Sequence, residues 1–223
     1  GRAFSYHTFS GYLGFGLAPP VLIWSGTAFG LQTAFVIAGA IGLVAAIPLV
    51  FATELDRRHG AAKQAAGVTA PVSLRSLLTP AILTLTLWFT LLSLSTSGIQ
   101  NFSIVALNAL YAIPLGLTSA ALTAFLTGSA VGVLIGGHIA DKTVRHAEVA
   151  SAGFLAFAIL TIAVGTFNAG AYGIMALLAL AGVCSGLIQP SRDMLVRHAA
   201  PPGAMGRTFG IVTTGFSIGG MVG

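Results

Sequence analysis

Gly136 to His146 reads GGHIADKTVRH, and the fold turns on this stretch. It ends an uncharged run, Ser76 to Ala140, with an acid, Asp141, and two bases, Lys142 and Arg145. The remainder of the chain repeats that pattern of a long apolar run followed by basic punctuation. From Ala3 to Thr53 there is no Asp, Glu, Lys or Arg. At about 1.5 Å of rise per residue, that run is long enough for two helices across a hydrocarbon layer about 30 Å thick. The expected architecture is an all-α, polytopic transmembrane helical bundle with its charges in the connections.

Composition supports this and excludes other classes. Of 223 residues, 56% are hydrophobic and only 7% charged, and the mean hydropathy is +0.94. Soluble chains carry about 25% charged residues, so lipid must be the outer solvent here. The net charge of +5 is split among separate clusters rather than gathered in one stripe with stacking platforms, so no nucleic-acid partner is expected. Cys184, inside an apolar run, is the one cysteine, so neither a disulfide framework nor a Cys/His metal site is expected, and no cofactor is implied. Gly1-Arg2 shows no signal-peptide pattern, and both ends read as cut from a longer chain.

Charge-free stretches divide the chain into seven expected spans. The first two run from about Phe4 to Trp24 and from about Leu31 to Phe51, with Ser25-Gly26-Thr27 as the turn. Thr53 to Arg75 is the one long polar loop. The third span runs from near Leu78, with Pro80 in its first turn, to about Asn101, and an uncharged connection follows to just past Pro114. The fourth is about Ser119 to Ala140, the fifth about Val149 to Phe167 and the sixth about Tyr172 to Pro190, with a turn at Asn168-Ala169-Gly170. A basic segment from Ser191 to Arg207 leads into the seventh, near Thr208. All 10 Lys and Arg residues fall on alternate connections, which makes that face cytoplasmic. Trp24, Tyr111 and Tyr172 lie at the opposite ends, as an outer aromatic belt requires.

Gly137-x-x-x-Asp141-Lys142 followed by Arg145 resembles the cytoplasmic loop signature of the major facilitator superfamily, G-x-x-x-D-[RK]-x-G-[RK]. Val144 stands where the family usually has glycine, and Lys142 where arginine is commoner. The resemblance implies a secondary transporter in the cell (inner or plasma) membrane of a bacterium, with the lipid bilayer and a small-molecule solute as partners. It implies that Asp141 caps the start of a neighbouring helix, here the one opening at Gly1 to Phe4, and so helps seal the cytoplasmic side in the outward-facing state. Gly14-x-x-x-Ala18-Pro19 resembles the fifth-span signature of proton antiporters, with Ala18 in place of the second glycine, so protons are the expected coupling ion and efflux the expected direction. Uptake by symport within the same family is the alternative. Gly1, Arg2, Phe4, Thr8 and Gly14 match Gly206, Arg207, Phe209, Thr213 and Gly219 at an offset of 205, which suits two parallel half-bundles. The implied layout is residues 1–52 as the last two spans of the first half, 53–76 as the loop between halves, and 77–223 as the second half, roughly the fifth to eleventh of twelve spans.

The candidate solute face lies on the third span, where Ser93, Ser97 and Gln100 share a helix face with Asn101 adjacent. Gly98 could break the helix beside them. Polar groups inside a span face protein or a cavity, so the alternative is a ladder of interhelical hydrogen bonds. Thr123 and Thr127 on the fourth span, and Ser185 with Gln189 on the sixth, are further candidates. Arg192 and Asp193, with Glu54 and Asp56, resemble the charged pairs that family members place beneath the bundle, the alternative being a solvated loop. No acid is expected inside the first six spans, so a proton-carrying carboxylate would lie elsewhere. Gly128, Gly132 and Gly136, with Gly182 and Gly186, line helix faces with small residues suited to close packing. An integral membrane enzyme is the competing class, but Ser97, Ser129 and Ser185 have no histidine at their depth, since His7 and His138 lie near the inner edge. A channel is disfavoured by the lack of a ring-forming motif.

Overall fold

The computed structural model describes residues 2–51 and 77–223, and it is helical almost throughout. Among the described residues there are seven long helices: α1 (Arg2–Phe29), α2 (Leu31–Phe51), α3 (Pro80–Tyr111), α4 (Leu115–Lys142), α5 (His146–Thr166), α6 (Gly170–Ala199) and α7 (Met205–Val222). Five of them, α2 to α6, are long and apolar enough to cross a membrane. The protein is an all-α integral membrane bundle. The loop expected from Thr53 to Arg75, with Glu54 and Asp56, lies outside the described residues.

The chain divides into two compact units, Gly1–Gly16 with Ser73–Gly223, and Leu17–Val72. In the second unit the turn is not at Ser25-Gly26-Thr27. Those residues stay helical because the Ser25 hydroxyl donates to the carbonyls of Val21 and Leu22 at 2.8 and 3.2 Å, and Thr27 to that of Trp24 at 3.0 Å. A hydroxyl satisfied by the preceding turn no longer competes for the backbone. The break falls at Gly30, whose φ of 87° is open to glycine and strained for other residues.

Within the first unit three further expectations are corrected. Gly98 does not interrupt α3, which runs 32 residues, about 48 Å, well beyond Asn101. The connection to α4 is only Ala112 to Pro114, closed by the Asn108 side-chain amide donating to the Ile113 carbonyl at 2.8 Å. At the other end, α6 passes through Pro190 to Ala199, so Arg192 and Asp193 belong to a helix and not to a solvated loop. The turn at Asn168 to Gly170 is where the sequence placed it, with the Asn168 side-chain oxygen accepting from the Gly170 amide at 3.2 Å.

Lipid and protein core are both apolar, so size rather than polarity sorts the helix faces. On α4, Gly128, Gly132 and Gly136 are buried while Val131, Leu134 and Ile135 face outward. These glycines meet α6 in register, Gly128 against Ala179, Gly132 against Val183 and Gly136 against Leu187. Gly182 and Gly186 of α6 return the contact against Phe125 and Ser129. A methyl group on any of the five would come within 3.0 Å of the facing backbone. Around this seam the aromatic rings of Phe125, Phe157, Phe154 and Trp88 follow one another at 6.3, 6.4 and 6.4 Å between centroids, tying α5 and α3 to it. Gly132→Leu is therefore expected to destabilise the bundle by about 2 kcal/mol or more, seen as a lower melting temperature in detergent. Gly116→Ala, where an added Cβ meets nothing within 4 Å, should leave that temperature in place.

Candidate functional site

Residues from α1, α3, α6 and α7, all in the first unit, line an open cavity of about 300 Å³. On α1, Thr8, Tyr12 and Phe15 follow i, i+4, i+7 spacing and so share one helix face. On α6, Gln189 and Arg192 are a turn apart and face the same way. Phe89 of α3 and Thr213 and Phe216 of α7 complete the wall.

The polar groups of this cavity are tied to one another. Gln189 Nε2 donates to the Tyr12 hydroxyl at 2.6 Å, linking α6 to α1. The Arg192 guanidinium carbon lies over the Phe89 ring, 4.0 Å from its centroid, which links α6 to α3. Arg192 Nε and Nη2 both donate to Asp193 Oδ1, at 3.0 and 2.8 Å. Arg192 is 9% exposed and Asp193 8%, so the two charges cancel in a nearly dry setting. Burial at this level is tolerated only because each charge has its partner. Asp193 is the buried acid among the described residues, and the sequence reading did not place one inside a span.

The sequence-derived candidates divide accordingly. Gln189 and Arg192 line the cavity; Ser93, Ser97, Gln100 and Asn101 do not. Ser93 is fully buried, and its hydroxyl donates to the Phe216 carbonyl of α7 at 2.6 Å. That is the interhelical hydrogen bond weighed as the alternative. Ser97 and Gln100 are half-buried and Asn101 is exposed. Thr127, with Thr123, lines a separate groove of about 500 Å³ along α4 and α6. Tyr12, Phe89 and Phe216 were missed, because aromatic residues in apolar helices give no local sign of which face they serve. One sign was present: the 205-residue repeat pairs Thr8 with Thr213, and both line this cavity.

The loop between α4 and α5 closes tightly. Gly137 is buried, and Asp141 and Lys142 are exposed in the last turn of α4. Three residues then lead into α5, with the Thr143 hydroxyl accepting from the Arg145 amide at 3.0 Å. Arg145 pairs with Glu148 at 3.6 Å, both side chains well exposed. His146, buried at the start of α5, sits 5.5 Å from the His198 ring at the end of α6, so the loop is docked on α6. The contact expected between Asp141 and the opening of α1 involves side chains outside the described residues, as does the side chain of Pro19. Gly14 is exposed, and an added Cβ there would meet nothing within 4 Å.

Five long apolar helices packed into a bundle with polar groups buried among them define a multi-pass membrane protein. The family model described as Major Facilitator Superfamily matches residues 1–223. The chain belongs to the major facilitator superfamily, whose members are transporters. No match was found among the curated proteins or among the solved structures.

If Tyr12 and Gln189 hold α1 against α6, then Tyr12→Phe and Gln189→Met should each destabilise the fold, and together by less than their sum. The expected coupling is about 1 kcal/mol in a double-mutant cycle of unfolding in detergent; strict additivity would contradict the bond.

Proposed function

We propose that the protein moves a small organic solute across the membrane by alternating access, with the cavity between α1, α3, α6 and α7 as the solute site. The supporting observation is the convergence of Gln189, Arg192 and Tyr12 on one cavity inside otherwise apolar helices. Buried polar groups inside a membrane segment mark solute and ion paths more often than they mark stability. Ser97, Gln100 and Asn101 lie further along α3 and supply polar positions towards its outer end, while Ser93 fastens α3 to α7. Thr127 serves the groove along α4 and α6.

Under this reading Gly137, Asp141, Lys142 and Arg145 form the cytoplasmic gate, with Asp141 stabilising the start of a neighbouring helix when that side is shut. Gly14 and Pro19 give α1 the freedom to bend as the gate works. Residues 1–52 and 77–223 act as parts of two half-bundles joined by the 53–76 loop, with the basic connections on the cytoplasmic side of a bacterial cell membrane. Efflux by proton exchange is the favoured direction, resting on the Gly14-x-x-x-Ala18-Pro19 resemblance. A carboxylate that carries the proton is expected in spans other than these, while Asp193 is held by Arg192 Nε and Nη2.

Alternating access predicts that a cavity residue is reached from each side in turn. In a Cys184→Ser background, Thr213→Cys in reconstituted protein should react with a membrane-impermeant thiol reagent added on either side. Adding Asp141→Asn should raise the rate from the cytoplasmic side and lower it from the other. Reaction from one side only, unchanged by Asp141→Asn, would contradict both the mechanism and the gate.

A further inference from the structure

The first unit holds a pair of histidines that transport through the cavity does not use. We propose that His146, at the start of α5, and His198, in the last turn of α6, bind a divalent metal ion of the zinc class, which fastens these two helix ends together beside the loop of Asp141, Lys142 and Arg145. The pair stands apart from the cavity between α1, α3, α6 and α7, and its assignment does not rest on that one.

His146 is only 4% exposed, and its Nδ1 is buried with no hydrogen-bond partner among the described residues. Buried polar atoms nearly always have a partner in protein or water, and an orphan calls for an explanation. A ring nitrogen in that condition can take a metal ion without giving up another bond.

The spacing of the two rings fits a shared ion. Their centroids are 5.5 Å apart and their planes are tilted by 53°. A zinc ion about 2.0–2.1 Å from a ring nitrogen lies about 3.2 Å from that ring's centroid, so two imidazoles at a tetrahedral angle stand about 5.2 Å apart. The observed separation is close to that value before either ring turns. His198 is exposed, so other rotamers are open to it. A half-turn of the His146 ring exchanges nitrogen for carbon along either edge.

The surroundings decide what kind of ion is held. The last turn of α6, with its free carbonyls and negative dipole end, favours a cation at His198. At the positive end of α5, Glu148 in the first turn offsets the dipole and pairs with Arg145 at 3.6 Å. Arg197, beside His198 on α6, and Lys142, in the last turn of α4, are like charges that oppose binding. An ion is therefore held here by coordination to nitrogen and not by net charge. Among the described residues no group of three or more His, Cys, Asp or Glu gathers, so water completes the shell on the exposed side of His198. Imidazole suits zinc, nickel and copper, whereas magnesium demands oxygen ligands. Because the ion binds best at this separation of the helix ends, it holds the α4–α5 loop on α6 and opposes movements that part them.

The test is titration calorimetry with zinc chloride on the full chain, carrying no polyhistidine tag, in nanodiscs of zwitterionic lipid and against protein-free nanodiscs. One saturable zinc ion per chain is expected, and magnesium should not compete. His198→Ala, at an exposed position, and His146→Asn, which keeps a polar side chain there, should each weaken zinc by at least about tenfold, the smallest loss expected even for a group that only supports a ligand. His138→Ala should leave binding unchanged. Zinc should also slow amide hydrogen exchange across residues 143–148 of the unaltered chain, and not in His198→Ala. Binding of equal strength in both variants would mean an adventitious ion only and overturn the proposal, as would the absence of saturable binding to the unaltered chain. Loss in one variant alone would leave a single ligand and overturn the bridge. Zinc binding with unchanged exchange would refute the fastening. Should His146→Asn fail to elute as a single species, His198→Ala decides, together with the exchange measurement.

Discussion

The close approach of α4 and α6 is the contact on which the rest of the bundle depends. In lipid there is no water to expel when two helices meet, so association draws on dispersion between surfaces that fit. Gly128, Gly132 and Gly136 on one side and Gly182 and Gly186 on the other let two backbones come nearer than any larger residue would permit. The seam fixes the rotation of α6 about its axis. With one face of α6 held against α4, Gln189 and Arg192 are presented to the cavity shared with α1, α3 and α7.

The second element of order is the pair of cross-links that leave α6 on its other side. The Tyr12–Gln189 bond reaches α1, and the Arg192–Phe89 contact reaches α3, where Phe89 also clusters with Val196 of α6. α7 is brought in differently, by Gly215 and Gly219 lying against the backbone of α3 at Thr86 and Thr90, and by Ser93 bonding to Phe216. The bundle thus has one broad small-residue seam, a second shorter one, and a few polar links where the cavity is. Helices held together through glycine faces, with few polar bonds at the cavity, suit the alternating access proposed for this protein.

Much of the fold was legible because hydrocarbon leaves few options: an uncharged run of sufficient length has to be a helix. The charges at Asp141, Lys142 and Arg145, and the turn at Asn168 to Gly170, marked real ends. Helix ends carrying no charge were misread for local reasons. Ser25 and Thr27 look like turn residues, yet their hydroxyls bond back into the preceding turn. Gly98 looks like a breaker, yet α3 passes through it unbroken. Pro190 looks like a stop, but α6 runs on for nine residues beyond it, to Ala199. The site was half legible. Gln189 and Arg192 stood out as polar residues near a span, whereas Tyr12 is 177 positions from Gln189 and Phe216 is 123 from Ser93, separations that no local pattern reports.

The central claim is that these helices cross hydrocarbon, with Thr143 to Arg145 on one side and Phe167 to Ala169 on the other. The most direct measurement is labelling of single cysteines in sealed vesicles, with Cys184→Ser as background. Val144 is 92% exposed in the first connection, and Asn168 lies in the second. Val144→Cys and Asn168→Cys should react with a membrane-impermeant maleimide from opposite sides, Val144→Cys from the cytoplasmic one. Reaction of both from the same compartment would contradict the account.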